Sequence, residues 1–304
     1  MRIIRRGTSL VELLVALLVT TVMASATFRL LDRTQRFAQG TALLAEQRAQ
    51  LAGAALAVRA SIESVASADS EFLAASDSAV AYHAPVGHAI VCAITTTSVD
   101  LAPYALASAV ALTWWNTSPQ PGDAIALFDD GATPGALDDQ WMRAVVTGAS
   151  GLPNACQSTP FVDSIADAGK RGWRLTMSRP IPTTVRPGAP VRITRVERFA
   201  LYRSSGEWML GWTEWNSRAG SWNVIQPVAG PLLPYAPVGA PGGLQLTWLD
   251  SLGAATPWSS GGRAIHSVNL MLFAPTRQLL RLDGMRVGFH HDSLGVRIPL
   301  RNAR

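Results

Sequence analysis

An apolar run near the N-terminus limits the fold more than any other feature of the chain. Residues 10–28 read LVELLVALLVTTVMASATF, with Glu12 the single charged side chain. As a helix this stretch is about 29 Å long, close to the thickness of a bilayer's hydrocarbon core. Arg2, Arg5 and Arg6 precede it. By the positive-inside rule they hold the helix start in the cytoplasm and leave the rest of the chain on the other side of the membrane. They supply three of the formal +5 charges; the remaining cations, all arginine except Lys170, are scattered, so nucleic-acid binding is not indicated. With 304 residues, 48% hydrophobic and 15% charged, the chain is too apolar to stay disordered and long enough to build a large core.

Helical periodicity continues past Phe28. Phe37, Thr41, Leu44, Leu51, Ala55, Val58, Ile62 and Val65 keep a 3-4 spacing, interrupted by Arg48, and no proline occurs before Pro85. The spacing predicts one helix over 8–68, with 10–28 as its membrane half. From residue 69 to 304 short apolar runs alternate with Gly, Pro, Asn and Asp. Strands are predicted at 89–94, 109–115, 124–128, 142–147, 173–178, 191–193, 197–203, 208–212, 244–248, 267–273 and 296–300. The stretch 230–243, with four Pro and four Gly, reads as a loop. The expected class is α+β: a long helix packed on an antiparallel β-rich head.

Three readings of the N-terminus compete. Ala24-Ser25-Ala26 offers an ordinary signal-peptidase site, which would release a secreted β-rich binding protein, and Arg5-Arg6 offers a twin-arginine signal. Neither accounts for Glu12, because a carboxylate in an apolar run is costly and marks a functional residue. The third reading starts from Gly7-Thr8-Ser9-Leu10-Val11-Glu12-Leu13-Leu14-Val15-Ala16. This segment resembles the class III leader of type IV prepilins and type II secretion pseudopilins. The resemblance implies a leader of residues 1–7, cleavage by a prepilin peptidase after Gly7, and N-methylation of the new terminus at Thr8, where the family usually carries an aromatic residue or Met. It also implies that Glu12, the fifth mature residue, pairs with the N-terminal amine of a neighbouring subunit during assembly.

A second resemblance lies further along. Val196 to Arg203, Gln226-Pro227-Val228-Ala229-Gly230, Val268 to Leu272 and the closing Leu300-Arg301-Asn302 fall in the order seen in PilW-type minor pilins, and less fully in pseudopilin J proteins. The implied fold is type IV pilin-like. The implied partners are the major pilin, other minor pilins and the inner-membrane assembly platform. The implied location is the bacterial inner membrane with the head in the periplasm, then the pilus or pseudopilus. A PilW-like minor pilin at or near the tip of a type IV pilus is the leading expectation, and pseudopilin J the alternative within the same machinery.

Signatures of catalysis are lacking. No HExxH, P-loop, G-x-S-x-G or G-x-G-x-x-G sequence occurs, and His83, His88, His266, His290 and His291 read as surface or loop residues. No enzymatic activity and no cofactor are expected. Asp129, Asp130, Asp138 and Asp139 form an acidic loop that is a weak calcium candidate, although its spacing is not that of an EF-hand. Cys92 and Cys156 are too far apart for a zinc site; beyond the membrane they are expected to form a disulfide, with two separate thiols as the alternative. Trp114, Trp115, Trp208, Trp212, Trp215, Trp222, Trp248 and Trp258 are assigned to core packing rather than to a sugar-binding surface.

Overall fold

The computed structural model describes residues 10–65, 71–108, 112–133, 135–237, 239–258, 264–279 and 287–301. Helix α1 (Leu10–Glu63) is continuous over 54 residues, about 81 Å. None of its apolar N-terminal stretch is buried. The hydroxyls in that stretch are satisfied inside the helix: Thr20 Oγ1 donates to Ala16 O at 2.7 Å, Thr21 Oγ1 to Leu17 O at 2.7 Å and Thr27 Oγ1 to Met23 O at 2.9 Å. Back-bonding of this kind leaves no unmet donor on the apolar surface. The helix stops at Glu63 rather than at residue 68. Ser64 Oγ donates to Ser61 O, and Val65 N turns back to Ile62 O in the tighter i→i−3 pattern that closes a helix end.

The buried face of α1 is Gln47, Leu51, Ala54, Ala55, Val58 and Ile62. Phe37 and Thr41, expected on that face, are exposed, because the head covers the helix only from about Gly40 onward. Arg48 does not interrupt the stripe: it points outward and forms an ion pair with Asp292 at 2.9 Å. Its neighbour Gln47 turns inward and donates from Nε2 to Ala274 O at 2.5 Å.

The head begins with β1 (Phe72–Ala75), β2 (Ala79–Ile94), β3 (Ser98–Leu101), β4 (Trp114–Trp115), β5 (Ala124–Asp129), β6 (Gln140–Pro153) and β7 (Arg171–Met177). It continues with β8 (Pro190–Ser204), β9 (Glu207–Asn216), β10 (Ser221–Trp222), β11 (Gln226–Leu232), β12 (Leu244–Leu249), β13 (Ser267–Pro275) and β14 (His291–Pro299). Antiparallel pairings run β2 to β3, β3 to β7, β7 to β6, β6 to β5, β5 to β8, and β8 back to β2. The six strands therefore close into a barrel, with β8 lying beside β5 of the β5-β6-β7 meander in a Greek-key arrangement. Its interior is filled by alternate residues such as Val91, Leu101, Ile125, Leu127, Leu175 and Ile193.

Beyond the barrel, the first half of β2 and the second half of β8 continue into a sheet with β1, β9 and β11. A separate three-stranded sheet, β12-β13-β14, lies nearby. The second core joins these sheets to the helix: Leu51, Val58 and Ile62 pack in one cluster with Phe72, Tyr82, Phe199, Leu210, Leu246 and Leu270. Burying such side chains is worth about 1.5–3 kcal/mol each, which fixes the lower half of α1 to the head.

Candidate functional site

Gly7 and Thr8 lie outside the described residues. Glu12 falls in the first turn of α1, where an acid complements the helix dipole, within an entirely exposed apolar surface. That surface, from Leu10 to Leu31, exposes Leu13, Leu14, Leu17, Leu18, Val22 and Phe28 by half or more. A patch of this size on one helix needs lipid or other helices around it.

Cys92, in β2, and Cys156, after β6, form a disulfide with Cα atoms 5.3 Å apart. The bridge anchors the segment after β6 to the barrel wall, inside a small cluster of Ala102, Leu106, Ala155 and Val162. Their sequence separation is 64. On the chain-entropy account, closing a loop of that length contributes about 4 kcal/mol. The expected outcome is no reactive thiol in denatured, unreduced protein and a lower melting temperature after reduction. Two thiols reacting without reductant would contradict it.

Among the described residues, the acidic loop brings no three carboxylates together around a cation position. Asp129 ends β5, is buried, and accepts from Gly131 N at 3.1 Å. Asp138 accepts from Thr133 Oγ1 at 2.5 Å, Ala132 N at 2.8 Å and Thr133 N at 3.0 Å, and these bonds hold its carboxyl below the usual carboxylate range. Asp139 is shifted upward, by desolvation and then by the charges of Asp130, Asp138 and Asp129. The loop thus spends carboxylate oxygens on its own amides. Among the described residues no group of three or more His, Cys, Asp or Glu is placed to hold a metal ion.

Sequence reasoning missed the buried polar groups of β8. Arg195 binds Asp123 bidentately, Nε to Oδ1 at 2.7 Å and Nη2 to Oδ2 at 3.0 Å, with side-chain exposures of 7% and 1%. Nη1 reaches Glu214 at 3.4 Å, and Nη2 donates to Ser118 O at 3.1 Å. Asp123 immediately precedes β5 and Glu214 lies in β9, so one guanidinium ties the barrel to the adjoining sheet. Two residues on, Glu197 accepts from Trp212 Nε1 at 2.8 Å and Tyr82 OH at 3.1 Å. Burial pushes the Glu197 carboxyl up despite these donors, and burial together with Glu197 pushes the Tyr82 phenol up. The local signal for this pair is the turn Pro121-Gly122-Asp123, which leads directly into β5.

The tryptophans divide. Trp248 is buried against Phe72, ring centroids 5.6 Å apart, as core assignment requires. Trp114 is 41% exposed, and Trp141 on β6 is 39% exposed. His83 and His88 both lie in β2, where His88 is exposed, as expected of a surface residue. His83 is half-buried and shares a hydrogen bond between Nδ1 and Thr194 Oγ1 at 3.2 Å.

These features define an α+β protein with an antiparallel β head and one N-terminal helix long and apolar enough to cross a membrane. No protein-family model, curated protein or solved structure matches the chain.

Proposed function

We propose that the chain is a PilW-like minor pilin, cleaved after Gly7 and incorporated at or near the tip of a type IV pilus, where it helps to initiate filament assembly. The observation that carries this reading is the division of α1: an exposed apolar half bearing Glu12, and a second half embedded in the head. The first half serves as a membrane anchor before assembly and as filament core afterwards. Arg2, Arg5 and Arg6 set the orientation, with the head on the periplasmic face of the inner membrane. Cleavage by a prepilin peptidase places a new amine at Thr8, four residues from Glu12. An amine and a carboxylate are each costly in hydrocarbon, and a pair formed between subunits offsets part of that cost.

A head of this size, with a barrel added to the sheet that the helix packs against, favours a few copies at one end over repetition along a shaft. The partners on this reading are the major pilin, other minor pilins and the inner-membrane assembly platform. Quantitative mass spectrometry of sheared filaments tests it. The chain is expected at a small fraction of the major subunit, with an N-terminal peptide that begins at methylated Thr8. An N-terminus at Thr27 would establish an ordinary signal peptide, and abundance equal to the major subunit would remove the tip assignment.

A further inference from the structure

The outer wall of the barrel carries a groove of about 480 Å³, continuous with a smaller recess of about 120 Å³ through His83, Trp141 and Arg192. Its volume falls within the range of small-molecule sites. The two half-exposed tryptophans line it, one paired with a guanidinium and the other with an imidazole. The Arg192 guanidinium carbon lies 5.1 Å from the Trp141 ring centroid, and His88 stacks on Trp114 at 5.9 Å with an interplanar angle of 23°.

Local backbone geometry builds this wall. Gly87 sits at a register shift in the β2–β8 ladder, and a Cβ there would come within 2.4 Å of Trp114 O and of the Trp115 ring. The missing side chain lets β4 close directly onto β2, with Trp114 opposite His88. Trp115 then packs on the barrel core while Trp114 faces outward. Because β strands alternate faces, Arg192 and Thr194 project outward from β8 while Val191 and Ile193 fill the barrel.

We propose that this groove binds an acidic oligosaccharide, a short chain of sugar rings that includes a uronate. The C–H face of a pyranose is complementary to the electron-rich face of an indole, and Trp114, 41% exposed with His88 stacked against one face, keeps indole surface in contact with solvent. Arg143, Arg192 and Arg301 line the groove against one carboxylate, Glu71, so the local field favours an anion. The planar guanidinium fork matches a carboxylate bidentately. Burial, and then the charge of Arg143, lower the His83 pKa, so the ring is neutral at neutral pH and suited to hydroxyl groups together with Thr194. A single-stranded nucleic acid fits less well: it needs a cationic track along its backbone and open aromatic faces, whereas the charges here are few and Arg192 covers Trp141. The proposal stands independently of the filament reading.

The test uses the full chain in a detergent without a sugar headgroup, titrated with trigalacturonate, with neutral galactotriose and with oligothymidylate. Saturable binding is expected for the uronate, weakening with salt, together with an upward shift of the His83 pKa in an NMR titration. Trp114→Ala and Arg192→Gln are each expected to weaken it by about tenfold or more while circular dichroism and melting temperature stay unchanged. Trp114 lies on a two-residue strand and is exposed, so its variant reports on binding even if Arg192→Gln perturbs the fold. Absence of uronate binding, equal binding of galactotriose, or retention of affinity in Trp114→Ala would overturn the proposal. Tighter binding of oligothymidylate, lost in the same variants, would also overturn it and reassign the groove.

Discussion

Replacing Glu12 with leucine is expected to leave membrane insertion and leader cleavage intact and to lower recovery in sheared filaments by about tenfold or more. Glu12 sits in the first turn of α1, on a surface that from Leu10 to Val19 is otherwise leucine, valine and alanine. Leucine makes insertion easier, since a carboxylate at such a position costs a few kcal/mol. On the proposed filament reading, what disappears is the partner of a neighbouring subunit's terminal amine, which would then enter the filament core unpaired. Truncating one member of a buried charge pair costs about 2–5 kcal/mol, and each 1.4 kcal/mol is a factor of ten in an equilibrium. Glu12→Gln keeps the shape and removes the charge, so it should fail to the same degree. The measurement is immunoblotting of membrane and sheared fractions, with the N-terminus of the membrane form checked by mass spectrometry. Normal recovery of either variant would remove the assembly role of Glu12 while leaving the membrane anchor untouched.

Arg195→Ala is expected to be the most destabilising single change in the head. It leaves the carboxylate of Asp123, 1% exposed, without its bidentate partner, and it removes the guanidinium that reaches Glu214. Losing one member of a buried ion pair costs about 3–5 kcal/mol, because the remaining charge is left in a poorly solvated site. The damage is also topological. Asp123 fixes the start of β5, where the strand enters the barrel, and Glu214 belongs to the sheet that adjoins the barrel. Urea denaturation of the solubilised full chain, followed by tryptophan fluorescence, should show the loss. A change of under about 1 kcal/mol, the range of exposed ion pairs, would mean that the triad is solvated in solution.

Several elements were legible because their pattern is local. The long helix follows from the apolar run, from the continued 3-4 spacing and from the absence of proline. The strands β5, β7, β9, β12 and β13 are short, mostly apolar runs bounded by turn formers, and their observed limits differ from the expected ones by a few residues at most. β2 was half missed. Its first part, Ala79 to His88, contains Pro85 and Gly87, which read as a break. In the fold these residues mark the register shift that admits β4. β8 was read as two strands because Thr194-Arg195-Val196 breaks the apolar run. The break is absent because Arg195 is buried and neutralised by partners distant in sequence. β11, with Pro227, Gly230 and Pro231, was read partly as loop and pairs with β9 through two register shifts. β14 begins at His291, ahead of the expected 296, where its residues alternate only between exposed and half-buried.

Sequence alone determined the class of the chain: a basic start, an apolar helix with one carboxylate, a second amphipathic half and a β head. Each follows from periodicity and from the cost of placing charge or an unpaired peptide group in hydrocarbon. Only the tertiary structure decided that the head contains a closed barrel. The pairings that close it, β3 with β7 and β8 with β2, join segments that lie from 72 (Leu101 and Trp173) to 121 residues apart (Ala79 and Ala200) and carry no signal of each other. It decided likewise which tryptophan is core and which is surface. Trp114 and Trp115 are neighbours of the same type, and alternation about a strand sends one to the groove and the other to the barrel core.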